Sequence, residues 1–195
     1  MREITLKNLV SFYRNPSAFL LRRRLGISLE PPLEPLPKRE PLGIDPFDSY
    51  ILKEKLLEFL LEGVDPPKLK AFARSMGLLP PARQGEALFQ KTLSEVEKFA
   101  AFVFDSFNGE RELEPRDFVF EAGDFKVTGV LKGARPTRLT RYRPGKKSAK
   151  DQISVWIEHL FLNILPFEDF PKSTRLITSD GVTDLSPFPS SEKDA

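Results

Sequence analysis

From Phe125 to Leu165 the apolar period of this chain switches from two to that of a helix, with turn residues between, and no other stretch constrains the fold as tightly. Phe125, Val127, Gly129 and Leu131 alternate with Lys126, Thr128, Val130 and Lys132, which predicts a strand over 125–132. Gly133 to Pro136 is turn chemistry. Thr137 to Arg143 then resumes β-branched and aromatic character until Pro144-Gly145 stops it. Leu139, Arg141 and Arg143 share one face of that second strand, because side chains two apart point the same way. Ser148 followed by Asp151 predicts a capped helix start, and Ile153 to Leu165 is apolar on nearly every side until Pro166 ends it. A helix that apolar is expected to be covered by protein all round. Its Trp156 and its His159 both read as core residues; with no cysteine and no second histidine, His159 is a packed side chain and not a ligand.

Upstream, Thr5 to Arg14 and Pro16 to Leu25 predict two short helices, with Asn15-Pro16 as cap and first-turn proline and Gly26 as the stop. Phe12, Tyr13, Phe19 and Leu20 form their apolar side. Beside it Arg14, Arg22, Arg23 and Arg24 make a basic cluster suited to DNA phosphates or a partner's acids, for which the plainer reading is a solvated helix face. Residues 27–46 carry Pro31, Pro32, Pro35, Pro37, Pro41 and Pro46 interleaved with leucines, which predicts an extended surface strap. Helices are expected from Asp45-Pro46 to about Glu62, from Pro66 to Met76, and from near Gly85 towards Phe104. Arg116 to Glu121 is expected to pair with Phe125 to Lys132 through Ala122-Gly123-Asp124, and Lys172 to Ile177 to add a strand. Residues 181–195 read as a disordered tail.

The sum is an α/β (α+β) chain, with a small mixed central sheet flanked by helices in one domain over 1–180. Its 195 residues, 40% hydrophobic and 30% charged, suffice for a core of that size. The absence of cysteine excludes a disulfide framework and thiolate metal or iron–sulfur sites. No run of 18 or more apolar residues and no signal-type start occur, so a cytoplasmic chain with no membrane contact is expected.

A strand pair feeding directly into an apolar helix resembles the restriction-endonuclease-like, or PD-(D/E)xK, nucleases. Those enzymes place an Asp at the end of the first strand and an acid-x-Lys on the next, so that two carboxylates hold Mg²⁺. The corresponding positions here are Lys132, Arg141 and Arg143. Close like charges cost about 4 kcal/mol per pair at an effective dielectric of ~20, so no metal and no other cofactor is expected there. Within this class the segment YRPGKKSAKDQISVWIEHL, Tyr142 to Leu160, resembles the C-terminal domain of the RecC family, the gamma chain of exodeoxyribonuclease V. ITLKNLVSFYRNPSAFLLRRRLGI, Ile4 to Ile27, is similar to the entry helices that family shares with the nuclease domains of RecB and AddB. The resemblance spans roughly Ile4 to Thr178. It implies a nuclease-like domain without nuclease activity at the end of a longer subunit, near a DNA fork and against RecB-like and RecD-like partners. Met1 would then be an added start. Active relatives bring a His or acid to the metal through Gly-x-x-x-His; here Gly85 is followed by Phe89, a fourth vestigial position.

Lys132, Arg135, Arg138, Arg141, Arg143, Lys146, Lys147 and Lys150 occur without one intervening acid, a density that suits phosphates or an acidic protein surface. The expected function is therefore non-catalytic: assembly with partner subunits and guidance of DNA strands. Two other readings stand beside it. One is a Mg²⁺-dependent nuclease with ligands migrated to Glu121 and Asp124, against which Lys126 and Lys132 weigh. The other is a pure protein-interaction module.

Overall fold

The structure is a computed structural model that describes residues 2–27 and 44–189; the proline strap, apart from its ends, and residues 190–195 lie outside the described residues. In chain order the elements are β1 (Arg2–Thr5), α1 (Leu6–Arg14), α2 (Pro16–Arg24), α3 (Pro46–Leu61), α4 (Pro66–Ser75) and α5 (Ala82–Phe107). There follow β2 (Arg116–Ala122), β3 (Phe125–Leu131), β4 (Leu139–Arg143), α6 (Ala149–Ile164), β5 (Thr174–Thr178) and β6 (Gly181–Leu185). The α+β class expected from the sequence is the class observed. The chain divides into two compact units: a sheet unit from the described parts of Met1–Glu30, Glu110–Tyr142 and Lys147–Ala195, and a helical unit from those of Pro31–Gly109 with Arg143–Lys146.

Local chemistry accounts for the helix starts. Thr5 Oγ1 accepts from Asn8 N–H at the head of α1, and Asn15 Oδ1 accepts from Ala18 N–H at the head of α2, with Pro16 in the first turn where its missing N–H costs nothing. Asp45 caps α3 in the same way. At α6 Ser148 and Asp151 form the reciprocal capping box.

In place of one central sheet there are two sheets of three strands, ordered β1-β3-β2 and β4-β5-β6. β2 and β3 form the expected hairpin, with Ala122 opposite Phe125 and Gly123 at φ +56° in the turn, while β1 runs parallel to β3. Sequence reasoning missed β1, whose four residues are too few for a periodic signal. β3 and β4 belong to different sheets, which corrects the expected strand pair; their linker makes only the bridge between Ala134 and Leu139. Side chains take up the linker's donors: Gly133 N–H donates to Glu112, and Thr137 donates to Glu110 through both its N–H and its hydroxyl. With those donors taken by side chains, and Pro136 lacking one, no ladder propagates. Residues 181–185 form β6, paired antiparallel with β5, where a tail was expected. A two-pronged pair across the strands supports it, with Arg175 Nε 2.7 Å and Nη2 2.8 Å from the Asp184 carboxylate oxygens.

Each unit has its own core. In the sheet unit the Phe118 and Phe161 rings stack at 5.0 Å, with Leu131, Leu139 and Leu162 fully buried around them. In the helical unit Leu52, Leu56, Leu69, Phe89 and Val96 are buried together. Each such side chain contributes about 1.5–3 kcal/mol. α6 is not covered all round: Trp156 and Ile164 are each 46% exposed, so Trp156 is not the core residue expected. α6 packs on α1 and β5, and the Trp156, Leu160, Ile164 row, four residues apart, lines an apolar groove of about 710 Å³ in the same unit. Among the described residues no helix is long and apolar enough to cross a membrane.

His159 is fully buried, as expected. Its Nε2 lies 3.1 Å from the Ser186 carbonyl and its Nδ1 2.9 Å from Thr174 Oγ1. A carbonyl only accepts, so Nε2 carries the proton and Nδ1 accepts from the threonine. Burial pushes the His159 pKa down, the Ser186 carbonyl partly opposing it. A pKa lower in the folded than in the unfolded chain stabilises the fold above about pH 6.5, and that contribution is lost as pH falls through the folded value. Between about pH 7.5 and about pH 5.5, where no other side chain has its ordinary pKa, the melting midpoint of the sheet unit is expected to fall. Trp156 fluorescence reads it. The His159→Gln variant should hold level over that window, and parallel profiles for the two proteins would remove the histidine linkage.

Candidate nucleic-acid interface

The eight cations from Lys132 to Lys150 do not form one surface. Arg135 is only 9% exposed, and burial lowers its pKa while Glu112 and Glu110 favour its charged form. It is a cation built into the fold. Arg141 is also committed: Nε donates to Glu158 Oε2 at 2.6 Å, and Nη1 donates to the Lys132 carbonyl at 2.9 Å and to that of Thr140 at 3.2 Å. Gly133 makes room for it, since a Cβ there would stand 2.7 Å from Arg141 Nη1. Arg143, within the helical unit, donates from Nε to Tyr50 Oη at 3.0 Å with its guanidinium 4.8 Å from the Tyr50 ring centroid. Burial raises the Tyr50 pKa, and the hydrogen bond from Arg143 opposes that rise.

Arg138 is half-buried; Lys132, Lys146, Lys147 and Lys150 remain exposed. Lys147 is held by its N–H to Asp180 and its ammonium to Thr183 Oγ1. Lys132 and Lys150 open onto a groove of about 1290 Å³ in the sheet unit. The groove is bounded on one side by α1 and α2 and on the other by the β2–β3 hairpin and α6. Lys7, Arg14, Arg22 and Arg23 line it as well, so the structure joins two basic clusters that sequence reasoning held apart. Lys7 was missed. It stands alone in its helix turn, and only the packing of α1 beside β3 brings it to the others.

Two acids line the groove, Asp117 and Glu158, and Glu158 is already paired with Arg141. Among the described residues neither Lys7, Arg14, Arg22, Lys132 nor Lys150 makes an ion pair. The floor forms because β1 pairs with β3 only as far as Thr128, beyond which Gly129 to Leu131 pair with β2 alone. Val119 and Val130 line the same groove and are 57% and 47% exposed.

Of the positions expected for metal chemistry, the structure brings Lys132 and Arg141 together through the carbonyl contact. Phe89 lies 2% exposed in the core of the helical unit, and Arg143 groups with that unit too. Glu121 and Asp124 are exposed at the β2–β3 turn. Among the described residues no three His, Cys, Asp or Glu side chains gather as a metal site would require.

A family model described as the RecC C-terminal domain matches residues 1–192. The chain is 27% identical over 163 residues to the RecBCD enzyme subunit RecC of Buchnera aphidicola subsp. Acyrthosiphon pisum (strain APS), a match covering 84% of this chain and 15% of that protein. It is 25% identical over 157 residues to the RecBCD enzyme subunit RecC of Escherichia coli (strain K12), covering 80% of this chain and 14% of the relative. The chain thus spans about one seventh of the length of these curated relatives. With the family model matching almost its full length, the chain belongs to the RecC C-terminal domain family.

Proposed function

We propose that this domain works without catalysis in a RecC-type subunit, helping that subunit assemble with RecB-like and RecD-like partners and contacting DNA strands during double-strand break repair. The observation that carries the non-catalytic half is Arg141. A guanidinium 2.6 Å from Glu158 occupies with positive charge the strand position where the resembling nucleases need a carboxylate. DNA contact draws on the six groove cations, whose charge is mostly uncompensated.

The assembly half draws on the apolar groove of the sheet unit. Tyr13, 55% exposed, stands beside Trp156 and Ile164, and a face of that composition is what a partner protein covers. The test is co-expression of a full-length RecC-type subunit, with and without this domain, alongside its RecB-like and RecD-like partners. Loss of a partner from the purified complex on deletion is the expected result. Recovery of an intact, active complex without the domain refutes the assembly role.

A further inference from the structure

We infer that the groove bounded by α1, α2 and the β2–β3 hairpin is a binding site for one DNA strand, held through its phosphates; this rests on the proposal that the domain contacts DNA. Its cations come from both boundaries: Lys7, Arg14, Arg22 and Arg23 from the helix pair, Lys132 and Lys150 from beyond the end of β3 and the first turn of α6. A backbone lying along the groove is met by positive charge on either side. Arg23 is held in place for this, its Nη2 donating to Asn8 Oδ1 at 3.0 Å.

The lining favours the single strand. Val119, Val130 and the half-buried Phe19 line the same groove as the cations, apolar surface that water covers poorly and that an unpaired base face suits. Paired bases offer no such face. Contacts to phosphates carry no base information, so a strand held this way is bound without regard to sequence.

The test is binding of this chain to oligodeoxythymidylate, to a random single strand and to a blunt hairpin duplex over a salt series. With about four phosphates neutralised, log K against log salt should have a slope near −2.8 for either single strand, and the duplex should bind more weakly. The double variant Lys7→Glu with Arg22→Glu removes two groove cations that, among the described residues, make no side-chain ion pair or hydrogen bond. It should lose at least about tenfold in single-strand affinity and flatten the slope by about 1.4. Lys147→Glu with Lys146→Glu, outside the groove, should change affinity less than about threefold. Circular dichroism checks the fold, and the milder Lys7→Gln with Arg22→Gln pair gives the same reading if charge reversal disturbs it.

Unchanged binding in the groove variants with loss in the Lys146, Lys147 variant overturns the groove and leaves DNA contact standing. A duplex bound as tightly as a single strand overturns the strand selectivity. A parent chain that binds no DNA even at low salt overturns both the groove and the proposal it rests on.

Discussion

Linear duplex and single-stranded DNA incubated with the purified domain in Mg²⁺ or Mn²⁺ are expected to survive intact. Metal-dependent hydrolysis needs carboxylates converging on one point and a field that welcomes a divalent ion. Glu158 is a carboxylate at the expected centre, and the Arg141 guanidinium already sits 2.6 Å from it. At ~4 Å and an effective dielectric of ~20, that guanidinium opposes an incoming ion by about 4 kcal/mol for each unit of the ion's charge. Phe89 offers no donor and is enclosed by Leu52, Leu56 and Leu93 in the core of the helical unit. Glu121 near the end of β2 and Asp124 in the two-residue turn are exposed, and Lys126 is paired opposite Glu121 on β3. Cleavage abolished by Asp124→Ala or Glu121→Ala would overturn this and restore a working nuclease with migrated ligands.

Gly129→Val is expected to destabilise the sheet unit severely. A Cβ at Gly129 would stand 2.7 Å from Leu6 Cβ and 2.8 Å from the Phe118 ring, closer than packed carbon atoms approach. Neither neighbour can retreat: Leu6 begins α1 and is buried, and Phe118 is stacked on Phe161. Overpacking of this kind costs about 1–3 kcal/mol, and valine adds two further methyl groups to the clash. For a chain of this length each kcal/mol moves the melting midpoint by about 2–4 °C, so a cost at the upper end of that range, about 3 kcal/mol, gives a fall of roughly 6–12 °C. Trp156, the only tryptophan, belongs to the sheet unit, so its fluorescence reports that unit separately. Thr128→Val, one residue away on the opposite sheet face, should leave the midpoint within about 2 °C of the parent. A Gly129→Val midpoint equal to the parent's would mean that α1 is not seated on β3 as described.

Elements whose cause is local were legible in the residues alone. Thr5, Asn15-Pro16, Asp45-Pro46 and the Ser148–Asp151 box start helices through contacts three residues long at most, and each starts one. The β2–β3 hairpin was legible because a two-residue turn at Gly123-Asp124 sets its register. The burial of His159 followed from its place on an apolar helix.

Tertiary structure decided whatever depends on residues distant in the chain. The sequence alone determined neither the placing of β3 and β4 in separate sheets nor the capture of the linker by Glu110 and Glu112, some twenty or more residues upstream. Nor does a helix's apolar run say whether a neighbour exists to cover its second side, which is why Trp156 and Ile164 emerge exposed. Charge behaves the same way. A run of eight cations reads as one basic surface along the chain. Folding buries Arg135, spends Arg141 on Glu158 and Arg143 on Tyr50, and brings Lys7 and the α2 arginines into one groove with Lys132 and Lys150. Sequence records how many charges there are; where their fields add is set by distances that only packing supplies.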